Sequence, residues 1–104
     1  MAALAYLVVR ATVPDAADRP AFDQWYQLEH LPDAAKAFAA RDAWRAWSRT
    51  DPAVHCAFYA FDSLAAVEAI STSPAIKALI AEFDAKWAGR VTRTREILAV
   101  SGAR

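Results

Sequence analysis

The chain is poor in glycine, cysteine and histidine, and each shortage excludes a class of site. Its only glycines are Gly89 and Gly102, so no glycine-rich loop is available to cradle the phosphates of a nucleotide. Cys56 is the single cysteine, which excludes an intramolecular disulfide. With only two histidines, His30 and His55, a zinc site built from this chain alone is not expected. We therefore predict no metal and no cofactor.

The chain also lacks an excess of charge and a long hydrophobic run. Twelve basic and twelve acidic residues give a net charge of zero. This balance argues against nucleic acid as a partner, because neutralising phosphates requires a basic excess. No apolar run approaches the ~20 residues that span a membrane, and no basic segment precedes the first apolar residues, so we expect no signal peptide. The default expectation is a soluble, cytoplasmic protein that binds neither nucleic acid nor membrane.

Aromatic side chains, by contrast, are abundant. The 104 residues have room for one domain, which we predict to span residues 1–104. The hydrophobic fraction is 57%, but 27 of these residues are alanine, whose small side chain contributes little to the free energy of burial. Most of that free energy must come from the twelve aromatics and from leucine, isoleucine and valine. A small chain of this kind often keeps apolar surface after folding, and association with a second copy buries it.

Hydrophobic periodicity predicts the element order β-α-β-β-α-β. Strand patterns cover residues 4–13, 42–50, 54–61 and 91–100. The first helix is predicted from Pro20 to His30 with Asp18 as its N-cap, and residues 33–40 can add a helical turn or two after Pro32. A later helix, capped by Asp62 or Ser63, is predicted from Leu64 to about Ile70 and restarts at Ser73-Pro74. The clearest helical stripe has the spacing i, i+3, i+4, i+7, i+11 and consists of Ile76, Leu79, Ile80, Phe83 and Trp87.

This order predicts an α+β, ferredoxin-like fold: a four-stranded antiparallel sheet with the helices on one face. If the side of the first strand that carries Leu7 takes the helices, the other side shows Tyr6 and Val8, joined by Cys56 and Phe58 of the third strand. That face is too apolar for water. We therefore predict a homodimer in which two sheets pack face to face.

The stretch from Asp23 to Pro32 contains the strongest candidate for chemistry. It is expected to be the end of the first helix, because Pro32 drives the residue before it out of the helical conformation. His30 would then lie in the last turn, where the helix dipole favours its protonated form, whereas burial among aromatic side chains favours its neutral form. Whichever of these two effects is larger, we expect His30 to titrate near neutral pH, as a general base requires.

The element order resembles that of the dimeric α+β barrel superfamily. The resemblance extends to Phe22-x-x-Trp25-Tyr26-x-x-Glu29-His30-Leu31-Pro32 and the Ser73-Pro74 helix start, and within the superfamily the chain is most similar to EthD-type and related small proteins. It implies a ligand pocket in each subunit, between helices and sheet, with the histidine of the first helix near it. Members include lactone isomerases, polyketide cyclases, cofactor-free monooxygenases and haem-degrading enzymes.

The candidate catalytic residues are His30, Tyr59 and Arg45, and the candidate substrate-binding residues are Trp25, Tyr26, Trp47 and Phe61. Each has a structural alternative. His30 can simply finish a helix, and Tyr26, one turn earlier, can be a plain core contact. Tyr59 offers a hydroxyl beside Phe61 if their strand face meets the helices. Arg45 beside Trp47 can bind an anion or can guard an edge strand against aggregation, and an arginine pair on the last strand carries the same ambiguity.

Three functions follow from these residues. The first is a cofactor-free acid–base enzyme, of the isomerase, cyclase or dehydratase type, acting on a small apolar or aromatic carbonyl metabolite. His30 would be the base, and an arginine or Tyr59 would stabilise the oxyanion. The second is a cofactor-free monooxygenase acting on a phenol. The third is a non-catalytic binding protein that uses the same pocket.

Overall fold

The computed structural model describes residues 4–102 and has the predicted ferredoxin-like architecture. The strands are β1 (Ala5–Thr12), β2 (Asp42–Trp47), β3 (Val54–Phe61) and β4 (Thr92–Ala99). The α-helices are α1 (Arg19–Trp25), α2 (Leu31–Ala37), α3 (Leu64–Ile70) and α4 (Pro74–Trp87), with a π-helical turn, Tyr26–His30, between α1 and α2. The sheet order is β2-β3-β1-β4 and every neighbouring pair is antiparallel.

Side chains alternate across the sheet as the sequence predicted. On the helix side, Leu7 of β1 lies between Tyr59 of β3 and Ile97 of β4, and Leu7 and Tyr59 are buried. The helices cover this face and form the core with it. The sheet order puts β2 and β4 at opposite edges, so the inward-facing arginines of these two strands, Arg45 and Arg95, lie far apart in the sheet.

Helix α4 confirms the predicted stripe. Ser73 caps it by accepting a hydrogen bond from the Ile76 N–H, and Gly89 after its end has a positive φ of 83°, a conformation that glycine adopts without strain. The buried residues of the helix are Ile76, Leu79, Phe83 and Trp87. Among residues 4–102 no single helix is long and apolar enough to cross a membrane, although α3 and α4 together, bent by 56°, have sufficient length and apolar character.

Two predictions about the first helix are wrong. Asp18 makes no capping hydrogen bond; Asp15 caps a preceding 3₁₀ turn instead, accepting from the Ala17 N–H. The helix also does not end before Pro32, because Leu31 keeps helical angles, φ −63° and ψ −49°. Its N–H bonds the carbonyl of Tyr26, five residues back. A π turn shifts the hydrogen-bond ladder by one residue, which lets the chain pass the missing N–H of proline.

The face of the sheet opposite the helices is aromatic, as predicted. Trp44 stacks on Phe58 with ring centroids 5.6 Å apart and meets Tyr6 edge-on at 5.9 Å. Trp44 is 41% exposed and Leu98 is 40% exposed. Val8, however, has no exposed surface, since neighbouring side chains on the same face already enclose it.

Candidate functional site

The candidate site is a narrow chamber between the helices and the inner face of the sheet. Its volume is about 30 Å³, enough for a water molecule or two. A wider cleft of about 270 Å³ adjoins it, and the two share the walls formed by Leu7, Ile76, Ile80 and Arg95. Together they reach the lower end of the range for small-molecule sites, roughly 300 Å³.

The chamber has apolar walls and five polar side chains. The apolar lining consists of Leu7, Val9, Ala34, Phe38, Ile76, Leu79, Ile80 and Phe83. The polar lining consists of Tyr26, His30, Tyr59, Arg93 and Arg95. Three of the predicted site residues, His30, Tyr26 and Tyr59, are thus brought together. A largely apolar cavity with a few convergent polar groups is the usual form of a small-molecule site.

His30 is held in place by aromatic rings. It stacks on Trp25 with centroids 4.6 Å apart and planes 20° apart, and Tyr26 and Phe83 meet it edge-on at 4.9 and 5.7 Å. The residue is 7% exposed. Its Nδ1 is fully buried and has no hydrogen-bond partner among the described residues, which leaves Nε2 as the ring nitrogen open to a ligand. Trp25 supports the imidazole from behind and does not line the chamber.

The expectation that His30 titrates near neutrality is wrong. Burial, followed by the positive charge of Arg93, lowers the pKa of His30 to about 4, and Asp33 opposes the shift. Because the π turn continues the helix past His30, the predicted helix C-terminus that would have favoured a cation is absent there. At neutral pH the imidazole is therefore uncharged and able to accept a proton.

Tyr26 and Tyr59 supply two hydroxyl groups that stay protonated. Burial raises the pKa of Tyr26 to about 12, although a side-chain hydrogen bond with Tyr59 opposes this shift. Burial is also the main cause that raises the pKa of Tyr59. Both groups therefore remain hydrogen-bond donors at physiological pH.

Arg93 and Arg95 bring positive charge to the chamber from β4. The Arg93 guanidinium bonds Asp84 at 2.9 Å and lies 4.0 Å from the centre of the Phe83 ring. Arg95 makes no hydrogen bond or ion pair that involves the described residues. The sequence left this pair open between binding an anion and protecting an edge strand. Their alternation on the strand face that carries Ile97 was the signal that could have assigned them to the site.

Arg45 and Trp47 do not reach the chamber. They line a shallow groove at the β2 edge, where both bond the same carboxylate: Arg45 Nη1 and Trp47 Nε1 lie 2.5 and 2.7 Å from Asp23 Oδ1. The hydrogen bond from Arg45 is the main cause that lowers the pKa of Asp23. Phe61 is a core residue outside the chamber lining. Arg45 is thus paired with Asp23 of helix α1.

His55 is a buried polar residue that sequence reasoning passed over. It has no exposed surface, and its ring centroid lies 4.5 Å from that of Tyr26 and 5.0 Å from that of Trp47. Neither ring nitrogen has a partner in the described part of the chain. Burial, followed by the charge of Arg45, lowers the pKa of His55 to about 4. It packs behind Tyr26 and lies outside the chamber.

Metal-binding side chains do not gather anywhere between residues 4 and 102, where no three His, Cys, Asp or Glu residues are close enough to hold an ion. The prediction of no metal and no cofactor stays a prediction.

No protein-family model and no curated protein matches the chain, but solved structures do. SnoaB from Streptomyces nogalater, described as a cofactor-independent oxygenase, superposes in a mutant form with a TM-score of 0.68 at 15% identity, over 98% of this chain and 97% of that one. An EthD family protein from Bacillus halodurans has a TM-score of 0.68 at 22% identity, over 93% and 98% of the two chains.

A third similar structure comes from Deinococcus radiodurans and is described as a putative antibiotic biosynthesis monooxygenase. Its TM-score is 0.58 at 14% identity, over 95% of this chain and 93% of that one. The predicted resemblance to EthD-type, ferredoxin-like proteins is therefore confirmed. At these identities the likeness establishes the fold and leaves the activity to be argued from the site.

Proposed function

We propose that the chamber binds a small apolar or aromatic compound with a carbonyl or phenol group and removes a proton from it. The observation that carries this proposal is the uncharged His30 imidazole, which shares one chamber with two tyrosine hydroxyls and two arginines. A neutral imidazole accepts a proton, and hydroxyl and guanidinium groups stabilise the anion that is left.

The proposed step is a simple proton transfer. The C–H or O–H bond of the substrate breaks, the proton goes to Nε2 of His30, and the electron pair stays on the substrate as an enolate or phenolate. Tyr26, Tyr59 and the arginines stabilise the negative oxygen. Return of the proton to another carbon completes an isomerisation, and no oxidant is consumed.

The low basicity of His30 constrains the chemistry. A base with a pKa of about 4 abstracts a proton efficiently only if the product anion is strongly stabilised. The anion would form beside the new imidazolium and within reach of fixed donors in an apolar chamber, where electrostatic interactions are stronger than in water. An activated proton, next to a carbonyl or on a phenol, fits this requirement.

A cofactor-independent oxygenase is the second candidate, since a similar structure carries that description and others are described as antibiotic biosynthesis monooxygenases. The same proton transfer would produce an electron-rich phenolate, which reduces dioxygen as co-reactant. One oxygen atom would enter the product as a quinone carbonyl, and the other would leave as water. Both candidates share the first step and differ in the need for dioxygen.

Hydrogen exchange and oxygen uptake test the proposal together. Ring ketones with a C–H bond next to the carbonyl are incubated with the protein in D₂O, and deuterium incorporation at carbon is read by mass spectrometry. Oxygen consumption with phenols is followed by electrode. We expect His30→Gln to lower the rate of proton transfer by about a hundredfold or more. Glu29→Gln, a change in the exposed neighbouring residue, should leave it unchanged. Oxygen uptake by the wild type would select the oxygenase.

A ligand that binds without exchange or oxygen uptake would contradict both enzymes and support the third alternative, a binding protein. Equal rates for the wild type and His30→Gln would show that His30 only fills space. Circular dichroism of each variant separates these outcomes from loss of the fold.

We also propose that the chain forms a homodimer through the aromatic sheet face. The support is the exposure of large apolar side chains there, Trp44 and Leu98, next to the stacked ring of Phe58. Large apolar side chains exposed on one face of a sheet favour association with a second copy.

A further inference from the structure

Arg95 differs from Arg93, the other arginine of the chamber, because only Arg93 forms an ion pair with a described residue. Arg93 is neutralised by Asp84 and rests on the ring of Phe83, whereas Arg95 makes no ion pair or hydrogen bond with any side chain or carbonyl in residues 4–102. No carboxylate of these residues lines the chamber itself. Along the adjoining cleft, Glu96 is the one acidic residue of the described lining, and it is paired with Arg10.

The position of Arg95 suits a ligand that enters from the cleft. Its side chain contributes to the walls of both the chamber and the cleft, together with Leu7, Ile76 and Ile80. A cation therefore lies where the two spaces meet. Its side chain is exposed to solvent, and the other three residues of the shared walls are apolar. Partial burial, followed by the like charge of Arg93, lowers the pKa of Arg95, and the charges of Asp84 and Tyr26 oppose the shift.

The guanidinium group of Arg95 favours a carboxylate as the bound anion. Its planar donor fork matches the two oxygens of a carboxylate in a bidentate pair. A ligand with one carboxylate and an apolar ring would place the carboxylate on Arg95 at the junction and the ring in the chamber, toward His30. The chamber is too small for a ring as it stands, so its walls must move to admit one.

Resting on the proposed function, we infer that the substrate is a monoanion: an apolar ring compound whose carboxylate is bound by Arg95. The carboxylate would not react. It would orient the ring so that the carbonyl or phenol group faces His30 and the two tyrosines. Its negative charge would also partly offset that of Arg93, which disfavours protonation of His30, making the imidazole a better base.

A matched pair of probes tests this inference. The probes are 2-naphthoate and its uncharged amide, which have the same ring and nearly the same size, and affinities are measured by calorimetry at fixed salt. We expect the wild type to bind the carboxylate at least about tenfold more tightly than the amide, because charge-assisted bidentate bonds exceed neutral ones. Arg95→Gln should abolish that preference, and Arg95→Lys, which keeps the charge without the fork, should retain part of it.

The control variant is Arg49→Gln, which removes an exposed arginine outside the chamber and the cleft and should keep the full preference. Three results would each overturn the inference. They are equal affinity of the wild type for both probes, an unchanged preference in Arg95→Gln, and binding of neither probe at millimolar concentration. Arg95 has no partner to lose among residues 4–102, so its variants should fold, and circular dichroism checks this.

His30→Gln separates this inference from the proposed function. It should keep the preference for 2-naphthoate while proton transfer is lost. A wild type that prefers the carboxylate but never exchanges a proton contradicts the enzyme and leaves the anion site standing. A wild type that exchanges protons but binds acid and amide equally contradicts the anion site alone.

Discussion

At the scale of single residues, two buried histidines give stability an unusual dependence on pH. The folded-state pKa values of His30 and His55 are both about 4, below an unfolded value of about 6.5. Below pH 6.5 the unfolded chain therefore binds protons that the folded chain excludes, so stability falls as pH falls and levels off below pH 4. Between pH 7 and pH 5 we expect a loss of about 2 kcal/mol per histidine.

Urea unfolding at pH 7 and pH 5 measures this loss, and His30→Gln should remove about half of the difference between the two pH values. Equal stability at both pH values would mean that the histidines are hydrated in solution. If His30 is the base of the proposed reaction, the same pKa predicts that the rate stays level from neutral pH down to about pH 5 and declines only near pH 4.

At the scale of elements, the start of α4 is stabilised by one side chain that joins two helices. Ser73 Oγ accepts from the Ile76 N–H at 3.3 Å and donates to the Ile70 carbonyl at 2.8 Å. We expect Ser73→Ala to lower the free energy of unfolding by about 1 kcal/mol, through loss of the N-cap. Ser101→Ala, an exposed serine outside any element, should change it by less than about 0.5 kcal/mol. Equal effects of the two variants in urea unfolding would show that the cap contributes little.

At the scale of the whole molecule, the aromatic sheet face predicts the oligomeric state. Sedimentation should give a dimer mass at micromolar concentration, with an interface well above the ~800 Å² typical of crystal contacts. Trp44→Glu should shift the mass to the monomer, because it buries an unpaired charge in the interface. Leu28→Glu, at a residue 66% exposed on the π turn, should remain a dimer. A wild-type mass near that of one chain, 11.4 kDa, would contradict the proposal.

The choice of Trp44 depends on where the sheet face is open. Val8 lies on the same face but is already enclosed within one chain, so an aspartate there would destabilise the monomer itself. A variant at Val8 would confuse dissociation with unfolding, whereas Trp44 is partly exposed and separates the two.

The sequence by itself determined the elements and their faces. The bounds of β3 and α3, the Ser73-Pro74 start of α4 and its apolar stripe all follow from neighbours within a few residues, where caps and periodicity act. The ferredoxin-like fold, an antiparallel sheet with the helices on one face, followed from the element order. These features are local, or are required by topology.

Only the tertiary structure decided which side chains and charges those faces contact. Arg45 and Arg95 look alike in sequence, each alternating on the inner side of an edge strand. The sheet order puts them at opposite edges, where α1 supplies Asp23 to neutralise Arg45 and no described residue pairs with Arg95. In the same way, the burial of His30 and the π turn that carries its helix past Pro32 depend on packing against distant rings. Charge balance and desolvation arise from contacts that are remote in sequence, and local patterns do not contain them.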